Sequence, residues 1–511
     1  MSDLLGRLAD RANPLLVRSV RQDLRSRLFV SSYLLALGGA ALVAISLCMV
    51  PARGDEGVGM ILFVAATTAW ALGAWCVAGQ SAFAALLRER QDDTWDLVEL
   101  TGMGPGRIVR GAWLAGMVQG AVFGAALAPF LTMGFLLRGV DVGMAFVALI
   151  GVPLIAAVAV ALGILVATLP QNRATRNGAT GLVGLALLAC LGFGLGMIFG
   201  VGPELLRELG REPGAWIIVA MIVVGGVWGA VLPLVLAASQ ISHRAADRST
   251  WPRLCWFAVA ATLLVFLFGT LGIADLLGLR MSDRDGAELL VASGLLVIGW
   301  AVVLGLGAVA EPWALTRRQE QAITNAPRWR RWLTPVTGPG AARGRMAFLL
   351  LLAVGLGLVL IAPLTTNGDD AWADAPVRIG LLIAAYACIF LVLGDLLTRR
   401  MLPVGWRTPA VQRVVTVAAT LILTAVATVP LAVLDAARSG GVSYLSPLLG
   451  LLNAGEAYPF RNGTSAWEHP GLWLILVVGT IAGVHLLIGG LRQGIERAEV
   501  LARAGDRDPR A

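Results

Sequence analysis

The sequence predicts an all-α polytopic membrane protein with about 12 transmembrane helices, both termini in the cytoplasm, an N-terminal interfacial amphipathic helix and a cytosolic helix between the second and third spans. Three observations carry this. Of the 511 residues, 57% are hydrophobic and 14% charged, and the mean hydropathy is +0.78, so too few polar side chains remain to cover one water-soluble globule. Apolar runs of about 20 residues, the length that crosses about 30 Å of hydrocarbon, recur along the whole chain. The basic residues, finally, gather on alternate connections between those runs.

Residues 1–27 open the chain with a predicted interfacial helix. Asn13 is suited to the N-cap and Pro14 to the first helical position, where a missing N–H costs nothing. Leu16, Val20, Leu24 and Leu28 recur every four residues on one face, while Arg18, Arg21 and Arg25 occupy another. Such a helix lies in the membrane interface with its arginines toward lipid phosphates. A plain positive-inside anchor for the first span is the alternative reading. The spans that follow are expected near residues 28–50, 58–83, 111–137, 142–169, 178–201, 215–241, 254–275, 288–310, 346–364, 378–397, 412–435 and 471–491. They group as a six-span unit over 28–245 and a second over 246–511. The first span is longer than the apolar core of a cleaved signal peptide, so it is read as retained.

Orientation follows from Arg, which crosses membranes poorly. Of the 40 basic residues, all Arg, 31 fall on the N-terminus, the even-numbered connections and the C-terminal tail, and only nine on the other side. Two external stretches exceed simple turns: Pro203 to Leu209, and Ala436 to Pro470 with Tyr444, Tyr458, Phe460 and Trp467. The latter reads as an outer loop at the headgroups, with an external gate as the alternative.

Between spans two and three, Asp93 is placed to cap a short cytosolic helix, Asp96 opposes its dipole in the first turn, and Gly102 suits its C-terminal stop. Trp95, Leu97, Val98 and Leu100 would present more apolar surface than a solvated loop needs. These residues by themselves leave docking and a solvated turn as equal alternatives.

Several chemistries are excluded. The chain has no Lys, hence no Walker A loop and no Schiff-base amine. The five cysteines, Cys48, Cys76, Cys190, Cys255 and Cys388, stand singly in apolar stretches, and His243, His469 and His485 are far apart, so no metal ligand set is expected. No nucleic-acid partner is expected either, since the positive-inside pattern accounts for the arginines.

Asn13-Pro14-Leu15-Leu16 followed by Arg18, Arg21, Arg25 and Arg27 resembles the N-terminal connecting helix of type-2 ABC transporter permeases. Glu89-Arg90, Thr94-Trp95-Asp96-Leu97, Leu100-Thr101, Ile108-Val109 and Gly111 resemble that family's connection between spans two and three. Gln91, Asp93, Gly102, Met103 and Ala112 depart from the family's pattern, and the motifs cover about the first 115 residues. The resemblance implies a membrane subunit of an ATP-driven exporter in the cytoplasmic (inner) membrane of a bacterial cell. Its coupling helix, near 89–101, would engage a separate ABC ATP-binding subunit. Glu89, Arg90, Asp93, Thr94, Trp95, Asp96 and Leu97 would form that contact, with Asn13, Arg18, Arg21 and Arg25 on the supporting helix. None would be catalytic. The chain would bind no cofactor or metal itself, ATP and Mg belonging to the partner.

The second half carries no comparable motif. Its stretch from Glu311 to Arg345, with Arg317, Arg318, Arg328, Arg330 and Arg331 beside Trp313, Trp329 and Trp332, is read first as a contact for anionic lipids and second as a degenerate motor contact. Whether a homodimer or a second permease completes the assembly stays open. Among intramembrane ionisable groups, His485 is expected to bond a neighbouring helix, and Asp275 and Asp395 to sit near span ends within reach of water. The rival classes are a membrane-embedded enzyme, such as a lipid-linked sugar transferase using Asp55-Glu56 or Asp369-Asp370, and a secondary carrier.

Overall fold

Backbone polar groups inside a bilayer must be satisfied within their own segment, so long apolar runs of this kind resolve into helices. The computed structural model describes residues 14–49, 57–91, 103–137, 140–168, 173–202, 215–243, 247–276, 283–309, 311, 316–324, 328–365, 374–401, 415–418 and 470–505. Nearly all of them are helical, no strand occurs among them, and 11 helices are long and apolar enough to cross a membrane. The span expected at 412–435 lies outside the described residues except for 415–418, as do the external stretches 203–209 and 436–469.

The chain divides into two compact units, Met1–His243 and Arg244–Ala511. In the first, α1 (Pro14–Leu24) precedes six long helices. These are α2 (Arg27–Met49); α3, which runs from Val58–Ala71 through a π-helical turn Leu72–Val77 into Ala78–Gln91; α4 (Pro105–Leu136); α5 (Val142–Thr168); α6 (Arg173–Gly196, ending in a π-helical turn Met197–Val201); and α7 (Ala215–Ile241). In the second unit, α8 (Thr250–Leu276) and α9 (Asp283–Val309) lead to two short helices, α10 (Arg317–Thr324) and α11 (Arg328–Thr337). There follow α12 (Ala341–Thr365), α13 (Asp374–Met401) and α14 (Pro470–Gly505).

Local chemistry sets several of these boundaries. Pro105 stands in the first turn of α4 behind an extended Gly104, the arrangement proline favours. Ser26 Oγ accepts the Phe29 N–H at 3.2 Å and so caps α2. Thr316 and Gln319 form a reciprocal capping box on α10: Thr316 N donates to Gln319 Oε1 at 3.1 Å, and Gln319 N to Thr316 Oγ1 at 3.4 Å. Nothing in the hydropathy profile announces that helix.

Helices in lipid gain little from hydrophobic burial against each other, so they rely on close packing, small residues and interhelical hydrogen bonds. The first unit uses all three. Trp70 and Trp75 of α3 donate their indole N–H groups to Gly120 O of α4 at 3.0 Å and Val152 O of α5 at 2.8 Å, and Trp113 of α4 donates to Ala157 O of α5 at 3.0 Å. Glycines occupy the tightest crossings: a Cβ on Gly163 of α5 would lie 2.6 Å from Gly79 O of α3. In the second unit Gly294 of α9 and Gly355 of α12 face each other so closely that a Cβ on either would lie within 2.9 Å of the other's carbonyl oxygen. Trp256 and Trp300 stack at 4.1 Å, each indole donating to the other's carbonyl, and so tie α8 to α9.

Gly355→Ala is expected to lower the thermal unfolding midpoint in detergent, at a cost of about 1–3 kcal/mol, because the backbone of α9 blocks the added methyl. Gly357→Ala on the same helix meets open space and should be neutral or stabilising by up to about 1 kcal/mol. Equal effects at the two positions would show that the α9–α12 crossing is looser than described.

Candidate functional site

The segments that carry the sequence motifs meet at one end of the first unit, where α1 packs against α4 beside the last turns of α3. On α1, Arg18 and Arg21 are exposed, as is Arg25 just past its end, and Leu16, Val20 and Leu24 are half-buried, as the amphipathic pattern requires. Leu28 departs from that face. The helix is interrupted by a turn at Arg25 and Ser26 between α1 and α2, and Leu28 is exposed at the start of the first span.

The most buried described residue of α1 is acidic. Asp23, 4% exposed, sits on the face of Leu16 and Val20, and with Ser19 it lines a small crevice against Leu86 and Glu89 of α3 and Ile108, Ala112 and Ala115 of α4. Burial pushes the Asp23 carboxyl up to about 6; Arg88 opposes the rise and the negative charge of Glu89 adds to it. The arginine face and the leucine face of α1 do not by themselves point to this residue. Its helical spacing from Leu16 and Val20 was the available signal.

Glu89 and Arg90 belong to the last turn of α3, so the spanning helix itself extends to Gln91 and carries the start of the expected cytosolic element. Glu89 is half-buried and feels the positive charge of Arg18. Arg90 donates from Nη1 to Ala167 O at 3.0 Å, in the last turn of α5, where helix carbonyls lack partners of their own. Asn13, Asp93, Thr94, Trp95, Asp96 and Leu97 lie outside the described residues. The structure thus brings Glu89, Arg90 and Arg18 to one corner, with Arg21 exposed on the same short helix and Arg25 exposed just past its end.

Deeper in this unit lies a polar pair that a search limited to ionisable groups misses. Ser81 of α3 donates to Gln119 Oε1 of α4 at 2.6 Å; Gln119 is fully buried, and its Nε2 has no partner among the described residues. The hydrogen bond sets the register of two helices that otherwise meet through apolar surfaces.

The second unit concentrates its charges near helix ends. Arg253 of α8 donates to Gly338 O and to Gly340 O, the latter at 3.1 Å, and pairs with Glu311 at 2.5 Å. Glu311 also accepts the Gly340 N–H at 3.0 Å. Gly340 has φ 109°, a left-handed conformation that favours glycine, immediately before α12. Asp395, expected within reach of water, is instead buried and paired with Arg345 at 2.9 Å. His485, expected to bond a neighbouring helix, is exposed on α14. Arg317 and Arg318 are exposed on α10; of Arg328, Arg330, Arg331, Trp329 and Trp332 only the helical backbone is described, and Trp313 lies outside.

Among the described residues no group of three or more His, Cys, Asp or Glu side chains comes together to hold a metal ion. Compared with known proteins, the chain matches no family model, and neither a curated protein nor a solved structure shows a significant match.

The raised Asp23 value makes α1 docking pH-dependent. The docked carboxyl holds its proton up to about pH 6, whereas a freed one releases it near 3.8, so docking is firmest below about pH 4 and weakens as pH rises through 6. Amides of 14–24, corrected for intrinsic rates, should exchange several-fold more slowly at pH 5 than at pH 7.5. Asp23→Asn should flatten that difference and protect α1 at the higher pH. A dependence unchanged by the substitution would assign it to another group.

Proposed function

We propose that this chain is the membrane-spanning permease subunit of an ATP-driven transporter of the type-2 ABC kind, an exporter coupled through residues 89–101 to a separate ATP-binding subunit. The observation that carries the reading is the meeting of the two motif-bearing segments. α1 packs on α4, Arg18 acts electrostatically on Glu89, and Asp23 lies beside Arg88 and Glu89, so both segments share one corner of the bundle. The multi-pass helical architecture and the lack of Lys for a phosphate-binding loop are consistent with motor and pore on different chains.

Residues 92–104 join the last turn of α3 to the first turn of α4, so a push on that connection acts on both helices. Arg90 carries the displacement to the end of α5 through Ala167 O, and α1 carries it along the interface. A partner that closes on ATP thereby biases the bundle between two packed arrangements with openings on opposite sides. The partner holds ATP and Mg. With both termini cytoplasmic, as the arginine distribution predicts, the motor sits on the cytosolic face.

Asp93→Arg with Asp96→Arg tests this without touching Glu89, which the fold uses internally. A protein identified as carrying Walker A and Walker B motifs should co-purify with the unmodified chain and bind the double variant at least about tenfold more weakly, with expression and thermal stability unchanged. Undiminished association, or labelling of a cysteine at position 96 from outside intact cells, contradicts the assignment. Turnover of a lipid-linked donor by the isolated chain would favour the enzyme.

A further inference from the structure

We infer that the second unit repeats the helical plan of the first, and that its connection from Glu311 to Gly340 is a second docking surface for an ATP-binding chain, so that one copy of this protein carries two such partners. The inference rests on the proposed function for the identity of the occupant. Two independent observations carry it.

The first is the packing plan. Numbered within each unit, the spans are α2, α3, α4, α5, α6 and α7 in the first; α8, α9, α12 and α13 stand as the first four of the second, 415–418 falls where its fifth is expected, and α14 is the last. In both units the second span on the third is the most extensive contact, and the fourth also packs broadly on the sixth. In both, the second also packs on the fourth, the third on the fourth and on the sixth, and the first on the second. The fourth meets the fifth as well: α5 packs on α6, and in the second unit Gly394 of α13 lies against Thr416. Apart from the contact of α2 on α4, which α8 and α12 do not match, these neighbours recur in the same chain order, which is hard to reach by chance from helices whose apolar surfaces are interchangeable.

The second is a sequence echo at corresponding places. At the end of the first unit's second span stands Leu87-Arg88-Glu89-Arg90-Gln91-Asp92; after the second unit's second span stands Leu315-Thr316-Arg317-Arg318-Gln319-Glu320. Both read Leu, two residues, Arg, Gln, acid. Entering the third span, the first unit has Thr101-Gly102, then Gly104-Pro105-Gly106, then Arg110-Gly111; the second has Thr337-Gly338-Pro339-Gly340, then Arg343-Gly344. A short echo in a chain rich in Arg and Gly gains its weight from position, because both halves of it frame the same connection.

That connection is prepared as a platform. Glu311 at its start and Gly338 and Gly340 at its end are drawn together on Arg253, which is 2% exposed. Within the closed loop the capping box holds α10, leaving Arg318 and Glu320 exposed. The two connections differ in net charge, acidic in the first unit and basic in the second, so in the second a partner would read the exposed Arg318 and Glu320, and the two partners need not be identical chains.

The test is the composition of the complex purified from native membranes, measured by native mass spectrometry. One 53.5 kDa chain with two chains bearing Walker A motifs is expected. Arg318→Glu with Glu320→Arg should reduce the count from two to one, as should Asp93→Arg with Asp96→Arg, with thermal stability unchanged. Two copies of this protein with two ATP-binding chains, or an unaltered count in the Arg318/Glu320 variant, overturns the inference and leaves the proposed function standing. Absence of any ATP-binding chain overturns both.

Discussion

The crossing of the second span over the third, α3 on α4 and α9 on α12, is the contact on which each unit depends. Lipid offers these helices an environment as apolar as their own side chains, so association rests on dispersion at close range and on a few interhelical hydrogen bonds. Both crossings are built that way. Gly294 and Gly355 let backbone approach backbone in the second unit, while in the first Gly120 admits Ala74 and Gly134 admits the backbone at Phe63. The Trp70 indole bond to Gly120 O and the Ser81 bond to Gln119 then fix the sliding register that apolar contact alone would leave loose.

The charges are arranged as a consequence. Removing an ion from water costs several kcal/mol unless it is paired, and the cost falls toward the ends of spans where headgroups and water are near. Arg253 with Glu311 and Arg345 with Asp395 are pairs of this kind, each joining one helix end to another element. Asp23 is handled differently. Its burial is only partly balanced by Arg88, and Glu89 works against it, which is why its carboxyl stays protonated to an unusually high pH. Asp23 thus places a raised carboxyl where α1 meets α3 and α4. In the proposed function this is where motion arriving through residues 92–104 would have to be accommodated.

Much of the fold is legible in the sequence because the bilayer simplifies the problem. Eleven expected spans coincide with long apolar helices, their starts agreeing to within about six residues while α3 and α14 run on to Gln91 and Gly505, since length and apolarity are local properties and lipid forbids most alternatives to a helix. The helical extension of α3 to Gln91 was harder to see, because Arg88, Glu89 and Arg90 look like a loop on any hydropathy count. So was α10, whose evidence is four residues of capping chemistry.

Composition and periodicity by themselves determined the class of protein, the number of spans to within the stretch not described, the amphipathic character of α1 and the absence of a phosphate-binding lysine. Each is a property of one segment or a sum over the chain. Only the tertiary structure decided that Asp23 is the buried member of α1, that Asp395 is paired and His485 exposed, and that in both units the second span packs on the third and fourth and the sixth on the third and fourth. Those outcomes depend on which face of each helix another helix covers. Interchangeable apolar surfaces do not specify that in one dimension; glycines, indoles and buried polar pairs do so once the helices are assembled.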